Sequence, residues 1–413
     1  MQRFTGILGI FSILALAFLM SNNRRRIDWR LVIWGLALQL GFAAFILLTP
    51  IGQPFFGWVD RGIRALLSFS DQGSDFLFKS FRAGKVEAPL MTFAFRILPT
   101  IIFFSTLMSA AYYLGIMQWV VKWIARAMQK TLHTSGSETL SCSANIFVGQ
   151  TEAPLMIRPF IEKMTKSELM AVMTGGFATV AGGVMAMYVG MLSGSAGHPG
   201  IPGIAGHLMA ASIMSAPAAL MIAKIVYPET EKSVTAGDLN LKIDKRDGNV
   251  VEAIGRGATD GMSLALNVAA MLVAFVALIA MVNALLGLVN LSLEQVFGWI
   301  FSPLAWTMGV PWQDAGIVGS LMGKKLVLTE LVAYTDLAGI VNSGSQVISL
   351  KSEIIASYAL CGFANFASIG IQIGGIGGIA PSRRRDLASL GLRAMFAGAL
   401  ASWLTATLAG LML

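Results

Sequence analysis

Gly149-Gln150-Thr151-Glu152-Ala153-Pro154 sets a carboxylate, an amide and a hydroxyl side by side in the middle of the largely apolar stretch 135–160. An ionisable side chain at membrane depth costs roughly 2.5–3.5 kcal/mol on insertion scales, so it marks a functional site by default. Each flank of the run is too short to cross a bilayer, because about 20 apolar residues are needed at ~1.5 Å per residue. The stretch therefore reads as a helical hairpin whose tip lies at mid-membrane. Irregular backbone is tolerated there only when it is buried in protein or lines a watery cavity. A second such stretch, 311–341, carries Glu330, and its interruption is expected at Gly323-Lys324-Lys325.

The rest of the chain supplies the membrane setting. Of 413 residues, 55% are hydrophobic and 13% charged, well below the roughly 25% charged residues of a soluble domain. Mean hydropathy is +0.71. Cys142 and Cys361 leave no disulfide framework and read as small buried hydrophobes. His133, His198 and His207 lack metal-ligand spacing, and His198 lies in a Gly/Pro loop. No phosphate loop is present, which argues against an ATP-driven pump within the chain. No acid–base or nucleophile set stands out, so the sequence reads as a non-enzyme. The net charge of +8 fits basic cytoplasmic loops, with no nucleic-acid partner.

Eight stretches qualify as spans: 4–20, 31–49, 92–115, 168–191, 203–226, 264–289, 353–376 and 387–412. Arg24, Arg25, Arg26 and Arg30 place the first connection in the cytoplasm by the positive-inside rule. Counting forward puts 116–167, 227–257 and Arg383-Arg384-Arg385 inside as well, all of them basic, and both termini outside. The count closes only if both hairpins return to the side they came from, the first entering from the cytoplasm and the second from outside. Opposed hairpins in two chain halves are the sign of an inverted repeat. Segments 54–69, 117–131 and 293–306 read as interfacial helices, with Trp58, Trp119, Trp123, Trp299 and Trp306 at headgroup depth. Segment 228–250 is a solvated linker. The Glu-Ala-Pro-Leu-Met string recurs at 87–91 without the preceding Gly-Gln-Thr and is set aside. The expected fold is thus an all-α integral membrane protein with eight transmembrane helices, two opposed re-entrant hairpins and interfacial helices.

The polar residues suit a neutral polyhydroxylated cargo. Ionised Glu152 and Glu330 only accept hydrogen bonds, which fits vicinal hydroxyls. Gln150 and Thr151 both donate and accept, which fits the edge of a nucleobase. Asn365 and Ser368, spaced i and i+3, are expected on one helix face, where a Gly/Ala-rich stretch favours a break or close packing. A hard monovalent cation wants oxygen ligands. Asn145 and the carbonyls around Val148 would meet a break at Thr179-Val180, between Gly175-Gly176 and Gly182-Gly183.

Three ordered blocks carry a resemblance that covers the chain from about residue 30 onward: 141–154, 319–334 and 361–369. They are similar to the concentrative nucleoside transporters, in particular bacterial members. The resemblance implies a sodium-gradient-driven importer of nucleosides such as uridine in the cytoplasmic (inner) membrane, a homotrimer in the lipid bilayer, and an elevator mechanism. It implies scaffold helices at 1–115 and transport halves at 116–226 and 308–413. Between the halves it implies a cytoplasmic linker at 227–257 and a scaffold helix with an interfacial helix at 258–307. By position, Gly149, Gln150, Thr151, Glu152 and Val184 match the nucleobase side of the family's site. Glu330, Asn365 and Ser368 match its ribose side, and Phe363 the broken helix beside it. Asn145, Val148, Thr179 and Val180 match the sodium site. The sequence departs from many relatives at Thr329-Glu330-Leu331 and from some at Thr179. Proton coupling, or another polar metabolite on the same fold, are the alternative readings.

Overall fold

The computed structural model describes residues 2–49, 52–80, 86–87, 93–194, 200–235, 247–343 and 347–413, and among these every regular element is helical. His198, most of the second Glu-Ala-Pro-Leu-Met string and the charged middle of the linker lie outside the described residues.

The helices are α1 (Gln2–Leu19), α2 (Trp29–Leu48), α3 (Gly52–Phe78), α4 (Phe93–Arg96), α5 (Leu98–Tyr113), α6 (Ile116–Leu132), α7 (Gly136–Ala144), α8 (Lys166–Ala178) and α9 (Gly182–Leu192). They continue as α10 (Ile204–Val226), α11 (Val250–Gly287), α12 (Leu293–Thr307), α13 (Trp312–Val327), α14 (Glu330–Val341), α15 (Leu350–Leu360), α16 (Phe366–Ile379) and α17 (Arg384–Met412). A 3-10 stretch, Ala153–Lys163, follows the tip of the first hairpin.

Of the eight expected spans, five correspond to helical segments long and apolar enough to cross a membrane: α2, α8 with α9, α10, α11 and α17. The apolar part of α1 is shorter, Thr5–Leu19, and α5 meets α6 at 78°. The expected span 353–376 is two short helices, α15 and α16, separated by residues 361–365.

One order of elements occurs twice. An amphipathic helix (α6, α12) leads into a hairpin (α7 with the 3-10 stretch, α13 with α14). A broken helix (α8/α9, α15/α16) and a long buried helix (α10, α17) follow. α10 and α17 pack against each other at the centre, and each touches the first half of both broken helices. α10 and the part of α17 from Ala394 onward bury because they are almost wholly apolar, whereas α11 leaves Leu266, Val273 and Leu285 exposed.

Loops expected on one side of a membrane are bonded to each other. At one end, Asn22 N donates to Val226 O at 3.0 Å and Gly136 N to Thr235 O at 3.0 Å. Arg30 reaches His133 at 3.1 Å, and Arg383 donates to Met164 O at 2.6 Å. At the other end, Asn342 donates to Met191 O at 3.2 Å, and Ala205 N to Asp60 at 3.0 Å.

Three expectations are corrected. Gly323, Lys324 and Lys325 do not interrupt the second hairpin; they lie inside α13, and the break falls at Leu328-Thr329. The lysines stay helical because their charges are met elsewhere. Lys324 pairs with Glu294 at 2.8 Å and also with Asp336, and Lys325 bonds to carbonyls of α15 and its C-cap. Residues 250–257 belong to the first turns of α11, capped by Asn249, rather than to a linker. Asn365 and Ser368 do not share a mid-helix face: Asn365 is the N-cap of α16, and its side chain accepts from Ser368 N.

The two broken helices cross where Gly362, at φ +117°, approaches α8 so closely that a Cβ would stand 2.6 Å from Phe177 O. Only glycine takes this backbone region freely. Gly362→Ala is expected to cost at least about 1–3 kcal/mol from backbone strain alone. The measurement is the melting midpoint of the detergent-solubilised protein; an unchanged midpoint would refute the crossing as described.

Candidate functional site

The four helix breaks converge. The turn after α7 closes on itself: Glu152 N and Ala153 N both donate to Gly149 O, at 3.0 and 3.1 Å, and Gly149 N donates to the Glu152 carboxylate at 3.1 Å. Glu152 is exposed, and its acid serves its own turn. Phe147 O accepts from Gly182 N at 2.9 Å, which fastens the hairpin tip to the start of α9. Thr151 lies with its methyl against α16 at Gly375.

Gln150 points inward and is buried. Its Nε2 donates to Ser368 Oγ at 3.2 Å, and its Oε1 accepts from Gln372 Nε2 at 3.0 Å. Gln372 also donates to Met173 O at 3.1 Å. This contact needs a bare backbone on α8, since a Cβ on Gly176 would lie 2.7 Å from Gln372 Nε2 and 2.9 Å from Gln150 Cβ.

Glu330 opens α14 and is 6% exposed. One carboxylate oxygen accepts from Tyr188 Oη at 3.2 Å, the other from Asn365 Nδ2 at 2.7 Å. A carboxylate accepts about four hydrogen bonds, so these two leave capacity for a ligand. The Tyr188 ring is stacked on Tyr334 at 4.0 Å. Asn365 Oδ1 accepts from Ser368 N at 2.8 Å, so one thread of hydrogen bonds runs Tyr188, Glu330, Asn365, Ser368, Gln150, Gln372. It joins both chain halves.

Of the residues singled out from sequence, Gln150, Glu330, Asn365 and Ser368 are directly connected, and Gly149 and Thr151 flank them. Val184 is buried in the first turn of α9, and Phe363 is half-buried in the α15–α16 break. Glu152 is not on the thread. Tyr188 and Gln372 were missed. Gln372 is legible in hindsight: it lies one turn after Ser368, an amide alone in an apolar helix.

Beside this thread, Asn145 ends α7 with its Nδ2 donating to Ser141 O at 3.1 Å. Its Oδ1 and the Ser141 hydroxyl are buried without a hydrogen-bond partner among the described residues. Thr179 is the C-cap of α8; its hydroxyl donates to Gly175 O at 2.9 Å, and Val180 is buried in the same break. Among the described residues no group of three His, Cys, Asp or Glu side chains is placed to hold a metal. Neutral oxygens are what an alkali cation takes, and an orphaned buried acceptor is what such a cation would satisfy.

Family models of the Na+ dependent nucleoside transporter match residues 8–81 (N-terminus) and 207–410 (C-terminus), and a nucleoside recognition (Gate) model matches 94–195. An uncharacterized transporter of Haemophilus influenzae is 46% identical over 100% of this chain and 98% of its own length. Mouse sodium/nucleoside cotransporter 1 is 42% identical over the whole chain, which spans 64% of that longer protein. The solved structure of CNTnw in an inward-facing substrate-bound state is 42% identical, with a TM-score of 0.90 over 100% of this chain and 98% of the other. A variant of CNTnw in an outward-facing state gives a TM-score of 0.91 over 100% and 98% of the two chains, at 41% identity.

Gln372→Leu leaves Gln150 Oε1 without its donor, at about 1–3 kcal/mol for a buried group. For a ligand held by Gln150, affinity is expected to fall roughly tenfold, about 1.4 kcal/mol, by calorimetric titration with a nucleoside. Unaltered affinity would take Gln372 out of the site.

Proposed function

We propose that this chain, which belongs to the concentrative nucleoside transporter family, imports nucleosides such as uridine by symport with sodium. Members of the family are multi-pass membrane transporters rather than enzymes. The observation that carries the reading is the hydrogen-bond thread joining Glu330 and Asn365 to Gln150 and Ser368. It sets an acceptor-only carboxylate a few residues from an amide that both donates and accepts. Ribose hydroxyls suit the first and a nucleobase edge the second. In this assignment Gly149, Gln150, Thr151, Glu152 and Val184 face the base. Glu330, Asn365 and Ser368 face the ribose, with Phe363 beside them.

Sodium coupling is supported by the name of the family model and by the orphaned Asn145 Oδ1. Asn145, Thr179 and the carbonyls of Val148 and Val180 then bind the ion. Because Thr179 caps the helix that crosses the α15–α16 break, ion binding stiffens the substrate region. Linkage requires nucleoside to raise sodium affinity by the same factor.

The basic loops that meet at one end of the molecule face the cytoplasm, so both termini lie outside the inner membrane. The hairpins are re-entrant from opposite sides. The repeats shift the site across the bilayer as a unit, elevator fashion, with 1–115 and 258–307 as scaffold. The exposed apolar face of α11 meets lipid and the neighbouring protomers of a homotrimer.

Radiolabelled uridine uptake into proteoliposomes is expected to require an inward sodium gradient. Uptake indifferent to sodium but driven by a pH gradient would overturn the ion assignment, and no uridine uptake would overturn the substrate. Glu330→Gln is expected to abolish or greatly weaken uptake while the trimer still elutes intact in size exclusion; wild-type uptake would remove Glu330 from the site. Thr179→Val is expected to raise the half-saturating sodium concentration several-fold while leaving the maximal rate nearly unchanged. No change in sodium dependence would exclude Thr179 as a ligand.

A further inference from the structure

Lys325 is fully buried in the last turn of α13. Its ammonium donates to Ala359 O at 2.9 Å, Cys361 O at 3.2 Å and Ser402 Oγ at 2.8 Å. An ammonium has three N–H donors, and each meets one oxygen. Among the described residues no carboxylate lies within ion-pair distance of it. The cation instead closes the carbonyl end of α15, where the helix dipole favours positive charge. Two carbonyls and a hydroxyl are also a donor set that a hard cation would take.

The repeated element order gives this place a counterpart. Lys325 lies in the last turn of the first arm of the second hairpin, three residues before its C-cap Leu328, and Asn145 is the C-cap of the first arm of the first. Cys361 is the C-cap of α15 as Thr179 is the C-cap of α8. At the first place the structure offers a buried amide oxygen without a hydrogen-bond partner among the described residues; at the second it offers a lysine.

We propose that the Lys325 ammonium is a tethered cation, filling in the second repeat the oxygen cage that in the first repeat takes the coupling ion. It is a positioning residue. It clamps α13 to the end of α15 and so orients the 361–365 break from which Asn365 reaches Glu330. The comparison with the first repeat rests on the sodium reading above; the Lys325 clamp on α15 does not.

The test is thermal melting of the purified full-length protein in choline buffer, without sodium or nucleoside, so its result is independent of the coupling ion. Lys325→Met keeps the stem and loses the charge; its melting midpoint is expected to drop by several degrees. Lys325→Ala is expected to drop too, and to recover with n-propylammonium, which replaces the deleted Cγ, Cδ, Cε and Nζ one for one. Tetramethylammonium, a cation with no N–H, is expected to restore nothing. A Lys325→Met protein that melts like the wild type, or a Lys325→Ala protein restored equally by both cations or by neither, would overturn the proposal. Should Lys325→Ala not accumulate, the Met variant decides: a lowered midpoint supports the clamp, and a wild-type midpoint overturns it.

Discussion

A helix broken inside an apolar interior exposes backbone N–H and C=O groups that no water can satisfy, and each such group costs several kcal/mol when left bare. The described residues contain four such breaks, after α7, between α8 and α9, between α13 and α14 and between α15 and α16, and the organisation follows from how they are repaired. Glu152 closes the turn after α7 on Gly149 N. Gly182 N is given to Phe147 O. Thr329 caps Val332 N, and Asn365 caps Ser368 N. Lys325 takes the loose carbonyls at the end of α15. Of these side chains Asn365 also holds Glu330 in the candidate site, and Glu152 and Thr329 adjoin Thr151 and Glu330 in the chain. Polar groups needed to make broken backbone tolerable are thereby gathered at one place, where they also have capacity left for a ligand.

The crossing of the two broken helices gives that place its stiffness. Gly362 lies against Phe177 and Ala178, so neither break can move without displacing the other. Gln150 and Gln372 bridge the first hairpin, α8 and α16 on the far side of the same contact. Under the sodium reading, an ion held at Asn145 and Thr179 would sit at one end of this junction and a nucleoside at the other. The coupling would then run through a short stretch of packed backbone, with no need for a long chain of side chains.

Much of this was legible in the sequence because membrane burial makes polar residues conspicuous. The run at 149–154, Glu330 and the Asn365–Ser368 pair stand out against apolar flanks, and the glycine pairs bracket the break at Thr179-Val180. What misled was local reading of charge. Gly323-Lys324-Lys325 looks like an interruption because two lysines cost too much in an isolated hydrophobic helix. Their partners, Glu294 and Asp336 for one and the α15 carbonyls for the other, are remote in sequence, and no periodicity announces them. Tyr188 escaped notice for the opposite reason: an aromatic in an apolar helix is ordinary, and only its hydroxyl on Glu330 gives it a part.

The two acids that first drew attention differ in kind. Glu152 is exposed, and one of its oxygens serves its own turn, so a ligand hydrogen bond to its remaining lone pairs only replaces one to water. Glu330 is buried and held between Tyr188 and Asn365, with lone pairs free and little solvent to lose. A hydrogen bond from a ligand hydroxyl to a charged, desolvated and already oriented acceptor is worth about 1.5–3 kcal/mol, against about 1 kcal/mol for an ordinary one. Under the proposed function Glu330 would supply the larger share of affinity on that difference, and Glu152 would chiefly preserve the shape of the tip that presents Gln150.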